Sequence, residues 1–227
     1  MKFNLKKSVM ALTMIATGLS SQFAQADEPG TANGEWHHYT GDIKGSRYSP
    51  LDQINADNFE DLELAWSFST KNLGTRSEYK LEVTPIMIDG MLYATAGTRR
   101  AAISLDGSTG ELKWIHSMEE GLRGGMAPRQ LSGRGLSYWT DGNGDDRIYY
   151  VTTGYRLIAL NAHTGVPINS FGTDGNGILD LKIGAVQGNE VQIDLVTGEI
   201  GLHATPTVVG DMIIVGSAMK EGMTIDN

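Results

Sequence analysis

Leu105-Asp106-Gly107-Ser108-Thr109-Gly110-Glu111-Leu112-Lys113-Trp114 is the stretch on which the reading of this 227-residue chain turns. It reads as a turn between two strands. Asp106 can fold its carboxylate back onto backbone N–H groups two residues on, and Thr109 can cap the turn with its hydroxyl. Gly110 supplies a position with positive φ. Four residues later comes Trp114, a large flat ring able to pack over a neighbouring repeat. The same frame returns at Leu160-Asn161-Ala162-His163-Thr164-Gly165, about 55 residues further on, a spacing that points to an array of repeats. A weaker echo is Asp194-Leu195-Val196-Thr197-Gly198, and Asn169 stands where Trp114 would recur in the second copy.

Working outward, strand signals flank the turn. Glu82 to Ile88, Met91 to Ala96, Ala101 to Leu105 and Leu112 to Ser117 make one set, with Asp89-Gly90 as a hairpin signal. Gly135 to Thr140, Arg147 to Thr153, Arg156 to Leu160 and Pro167 to Phe171 make a second. Asp141 to Asp146, between its first two strands, has some calcium-loop character. Thr152 stands where such a loop needs a Glu, and no helices flank it, so it reads as an acidic hairpin loop. A Gly-rich excursion from Phe171 to Gly201 holds one expected hairpin, Glu190 to Asp194. Thr205-Pro206 to Gly216 then repeats the device of Thr84-Pro85 to Thr95: Thr-Pro, an apolar strand, a tight turn, an apolar strand. Upstream, Leu64 to Thr70 is an alternating strand, Asp57 to Leu62 allows one helical turn, and Trp36 to Leu51 reads as an ordered, extended lead-in. Four antiparallel strands per set with short links make a propeller blade. The fold class is therefore all-β: a β-propeller of four-stranded antiparallel blades. The chain holds the last strand of one blade, two full blades and half of another. Such an open stack leaves raw edges, which points to a fragment.

Bulk properties narrow the functional classes. The composition, 40% hydrophobic and 20% charged, is that of a globular protein with a sizeable core. A net charge of −9 argues against a nucleic-acid partner, and the absence of Cys excludes disulfide and thiolate chemistry. Met1 to Ala26 has the form of a secretory signal peptide. Lys2, Lys6 and Lys7 precede an apolar run from Val9 to Leu19, and Ala24-Gln25-Ala26 gives the cleavage pattern. The expected location is the periplasm, with no membrane span in the mature chain.

The succession Trp36…Gly41-Asp42…Arg47-Tyr48-Ser49-Pro50-Leu51-x-Gln53-Ile54, Leu64-Ala65-Trp66, Glu82-Val83-Thr84-Pro85 and Gly133-Arg134-Gly135-Leu136-Ser137-Tyr138-Trp139 carries a family likeness. So do the Asp-x-x-Thr-Gly-x-x-x-Trp turn and Phe171-Gly172…Gly175…Asp180-Leu181. Together they resemble the N-terminal part of the PQQ-dependent (quinoprotein) alcohol and glucose dehydrogenases, over residues 27–227. The resemblance implies an eight-bladed propeller whose Trp-bearing turns dock one blade on the next. It implies PQQ at the propeller axis, Ca²⁺ polarising a quinone oxygen, and periplasmic oxidation of an alcohol, polyol or aldose sugar. Hydride would pass to PQQ and electrons to a membrane quinone or cytochrome c.

Four positions match the family's site. Glu82, before Thr-Pro, matches a Glu that hydrogen-bonds a PQQ carboxyl or its surroundings; without the family it reads as a solvated strand-start Glu. Arg134 matches an Arg that clamps a PQQ carboxylate, work suited to a guanidinium fork; its plain alternative is a surface turn. His203 falls where many relatives place a cofactor-contacting Thr. Glu221 falls where the family places a Ca²⁺ ligand. The family's remaining ligands and catalytic Asp are expected beyond Asn227, so no catalytic residue is assigned here and the chain alone is expected to be inactive. One departure is clear. Many alcohol-oxidising relatives carry two adjacent Cys shortly before the Arg, where this chain has Ala127-Pro128-Arg129-Gln130. That shifts the expectation from methanol and ethanol enzymes toward the sugar and polyol group. The competing class is a non-catalytic PQQ-like-repeat propeller serving as a scaffold in outer-membrane protein assembly.

Overall fold

The computed structural model describes residues 30–131, 133–184 and 194–220. The signal-peptide stretch, the expected Glu190–Asp194 hairpin except Asp194, and Glu221 lie outside them.

Two four-stranded antiparallel meanders form the body. The first runs in the order β1 (Ile86–Ile88), β2 (Met91–Ala96), β3 (Ala101–Asp106), β4 (Leu112–His116). The second runs β5 (Ser137–Thr140), β6 (Asp146–Val151), β7 (Arg156–Asn161), β8 (Ile178–Asp180). Two smaller pairs follow: β9 (Ile200–Leu202) with β12 (Ser217–Met219), and β10 (Thr207–Val209) with β11 (Met212–Ile214). Among the described residues helix is confined to short segments, including α1 (Gly121–Met126) and a 3₁₀ turn at Phe59–Asp61 inside the expected helical stretch.

Period-two alternation decides how these layers stack. On β6 and β7, Ile148, Tyr150, Ile158 and Leu160 pack with Ile86, Ile88, Tyr93, Ala102 and Trp114 of the first sheet. The intervening Tyr149, Val151, Leu157 and Ala159 pack the other way, against Leu195, Leu202 and Val208. The outer face of the first sheet, Ala94, Ala96, Ile103 and Leu105, is covered by Trp66, Phe68 and Leu73 of the lead-in. A sheet buried on both faces is what a stack of blades requires. Large exposed apolar side chains stand both before the first sheet, at Tyr48, Ile54, Phe59 and Leu64, and after the second, at Met212, Ile214 and Met219.

The opening turn docks one sheet on the next. Asp106 Oδ1 accepts from the N–H groups of Ser108 and Thr109, both at 3.0 Å. Asn161 Oδ1 plays the same part for His163 and Thr164. The Trp114 indole N–H donates to the Ala162 carbonyl at 2.8 Å, and Trp66 donates likewise to Gly107 at 3.0 Å. The rings lie flat on the turn glycines. A Cβ on Gly165 would stand 2.7 Å from the Trp114 ring, and one on Gly110 would stand 2.5 Å from that of Trp66.

Two expected strands differ. Leu64 to Thr70 forms no strand and pairs with none among the described residues; Leu64 is 83% exposed. Pro167 to Phe171 is not the fourth strand of the second sheet. Ile168 N–H does bond to the Ala159 carbonyl, but the chain then turns on itself, Phe171 N–H to Ile168 O. Gly172, Gly175 and Gly177, all at positive φ, carry it out and back. Ile178–Asp180 then completes the edge against Arg156–Ile158. The apolar content of 167–171 marked a contact with β7, not a continuous strand.

Candidate functional site

The site is assembled from three stretches far apart in sequence. Glu82 lies just before β1. Ala127 to Gly133 is the irregular link after α1. His203 directly follows β9. They meet because the Thr84 N–H donates to the Arg134 carbonyl at 3.1 Å, joining the first two stretches. Gly135, at φ +134, fits where a Cβ would stand 2.9 Å from the Thr84 carbonyl oxygen and 3.5 Å from the Thr205 hydroxyl. The two Thr-Pro starts therefore approach each other across Gly135.

A cleft of about 390 Å³ opens where they meet, and Glu82 and His203 line it. His203 Nε2 stands 3.7 Å from Glu82 Oε2. Arg134 is exposed, follows the lining residue Gly133, and its charge is felt by both Glu82 and His203. Three of the four expected site residues therefore share one locality. Glu221 lies outside the described residues.

The electrostatics are cationic, against the negative net charge of the chain. Arg76, Lys80 and Arg129 also line the cleft, with Tyr79 contributing a ring that Arg76 overlies at 5.3 Å. Lys80 Nζ pairs with Glu82 Oε1 at 3.0 Å, and that bond comes first in holding the Glu82 carboxyl below the usual carboxylate range. His203 is 8% exposed. Burial, followed by the charges of Arg100 and Arg134, pushes its imidazole down to about 4, so it is neutral near pH 7. The Thr205 hydroxyl, two residues on, is buried without a hydrogen-bond partner among the described residues.

Such a donor set suits a ligand bearing several carboxylates: guanidinium and ammonium groups and a neutral imidazole. PQQ, a planar quinone with three carboxylates, fits that chemistry. A calcium site does not emerge from this part of the chain. Among the described residues no three His, Asp or Glu side chains converge.

Several of these residues escaped the sequence reading. Arg76, Tyr79 and Lys80 have no assignment from the sequence, although two cations and a Tyr just ahead of Glu82 are a usable signal. Arg129 was noted only for the Cys pair missing beside it. Arg100 ends the short stretch Gly97 to Arg100 between two strand signals, where nothing local marks it. In the structure its guanidinium is buried behind the cleft wall.

Comparison with known proteins agrees with the fold. The family model for the glucose/ethanol/alcohol dehydrogenase PQQ β-propeller domain matches residues 36–227. A quinoprotein glucose dehydrogenase of Gluconobacter oxydans is 29% identical over 93% of this chain and 27% of its own length. The dehydrogenase subunit of a quinone-dependent alcohol dehydrogenase from the same organism is 35% identical, over 70% of this chain and 21% of that protein. Among solved structures, quinohemoprotein alcohol dehydrogenase from Comamonas testosteroni superposes with a TM-score of 0.64 at 26% identity, covering 84% of this chain and 24% of that one. The chain thus spans about a quarter of the length of the relatives it matches.

Proposed function

The chain belongs to the PQQ-dependent glucose, ethanol and alcohol dehydrogenase β-propeller family, and from that premise we propose that it supplies blades and cofactor-holding residues to a periplasmic PQQ-dependent oxidoreductase. Its substrate is an alcohol, polyol or aldose sugar, and its electrons leave to a membrane quinone or a cytochrome. The observation that carries the reading is the convergence of Glu82, His203 and a group of cations on one cleft.

PQQ, when bound, supplies the two-electron acceptor for the substrate's hydride. Arg134 and Arg129 are the forks for its carboxylates, and Lys80 adds a point charge while fixing Glu82. His203, neutral through burial, can donate one hydrogen bond without adding charge. Ala127, Arg129 and Gln130 line the cleft where many alcohol-oxidising relatives carry paired Cys, so this wall meets the ligand with no thiol. That favours the polyol and sugar end of the substrate range. Calcium enters only through the family resemblance, with Glu221 as one ligand, and no step here is assigned to it.

The test is to purify the product of the gene that encodes this chain, load it with PQQ and Ca²⁺, and follow dye reduction with primary alcohols, polyols and aldoses. PQQ-dependent oxidation of at least one class is expected. A protein that retains no PQQ and oxidises none of them would instead be a propeller scaffold.

A further inference from the structure

Arg100 is an arginine that nothing in the site yet uses. It closes the turn between β2 and β3, its N–H bonded to the Gly97 carbonyl at 3.1 Å and its φ at +50. Its side chain does not point to solvent; the residue is 1% exposed. Among the described residues the guanidinium donates to four backbone carbonyls, which come from three separate stretches of the chain. Nε–H reaches Leu131 at 3.1 Å, and Nη2–H reaches Arg129 at 2.8 Å. Nη1–H reaches Leu202 at 2.6 Å and, more weakly, Val151 at 3.4 Å. Leu131 and Arg129 line the cleft, and Leu202 immediately precedes His203, which lines it from the other side.

Gly133 shows that the fork needs its place. At φ +77, a Cβ on this residue would lie 2.9 Å from Arg100 Nε. The cleft wall passes so close to the guanidinium that only glycine fits between them.

Resting on the cofactor reading above, we propose that Arg100 is a positioning residue: it locks the 129–131 wall and the Leu202–His203 strand end into one fixed opening for PQQ. Lysine cannot replace it. An ammonium is a point donor and cannot span four carbonyls lying in divergent directions, whereas the planar fork meets them from one position. The locking also has an electrostatic side. The charged groups facing His203 are Arg100, Arg134, Arg129 and Glu82, so removing Arg100 deletes one of three cations that keep the imidazole neutral.

The experiment uses the gene product in wild-type, R100K and R100M forms, with R123K as control. Arg123 ties α1 to Asp180, at 2.6 and 2.7 Å, away from the cleft wall. PQQ affinity is read by tryptophan-fluorescence titration of cofactor-free protein, well below each variant's unfolding midpoint, across pH 4 to 8. R100K and R100M are expected to lose about 100-fold in affinity, the scale of a misplaced binding wall, while R123K binds like wild type at a comparable loss of thermal stability. In R100M the pH-dependence of binding moves upward toward the ordinary histidine range. R100K binding within about twofold of wild type, or R123K weakened equally, overturns the positioning role. If R100M does not fold, G133A decides, since it displaces the guanidinium while keeping its charge: weakened binding supports the role, and unchanged binding overturns it. Absence of PQQ binding by wild type sinks the cofactor reading itself, and the positioning role with it.

Discussion

The docking of Trp114 on Gly165 makes a quantitative prediction about the blade interface. Replacing Gly165 with Ala has two separable costs. The residue sits at φ +69, and an L side chain there costs about 1–2 kcal/mol. The new Cβ would also stand 2.7 Å from the indole, an overpacking worth about 1–3 kcal/mol. Trp114→Ala alone costs about 3–5 kcal/mol, since the ring is 8% exposed and donates to Ala162. With the ring gone, the added methyl meets open space, and Gly165→Ala then costs only its backbone part. A double-mutant cycle by urea unfolding should therefore show a coupling of about 1–3 kcal/mol, the double mutant being more stable than additivity allows. Gly90→Ala calibrates the backbone part, because Gly90 has φ +75 and nothing within 4 Å of its would-be Cβ. Additivity within about 0.5 kcal/mol would refute the claim that ring-on-glycine contact is what docks the sheets.

Three further outcomes follow from the same geometry. Burial holds His203 near 4, below its ordinary value of 6.5, so the unfolded chain binds its proton first; stability is full above about pH 6.5 and falls toward pH 4, a slope that His203→Gln should flatten in pH-dependent unfolding. The Arg123 hydrogen bond is the first cause of Asp180's lowered carboxyl range, so its contribution is present above the unfolded carboxylate value and lost on acidification; Asp180→Asn should remove that acid limb from the same measurement. Gly133→Ala forces strain at φ +77 and pushes on Arg100, so it should lower the unfolding free energy by more than about 1 kcal/mol, whereas Gly142→Ala, in open space at φ +72, should cost only the backbone part.

Much of the architecture was legible because it is written in local chemistry. Turn residues and alternation placed β2 on its observed bounds and β3, β4, β6 and β7 within about two residues. The spacing of Asp106, Gly110 and Trp114 gave the docking role of the turn, since Asx-turns and stacked rings depend on residues near in sequence. What local pattern cannot give is partnership. Leu64 to Thr70 looks like a strand, but a ladder needs a second chain segment, and none pairs with it among the described residues. Pro167 to Phe171 had strand composition, yet the glycines that follow turned the edge over to Ile178–Asp180. At the site, family likeness pointed to Glu82, Arg134 and His203, which the fold does bring to one locality. Arg100 was not legible, because its importance comes from carbonyls as far as 102 positions away, and Arg129 gains its place only where distant stretches close the cleft.

The most direct test of the central claim is a crystal structure of the gene product loaded with PQQ. The expected result is cofactor density in the cleft between Glu82 and His203, with its carboxylates against Arg134 and Arg129. Density elsewhere, with this cleft filled only by solvent, would contradict it.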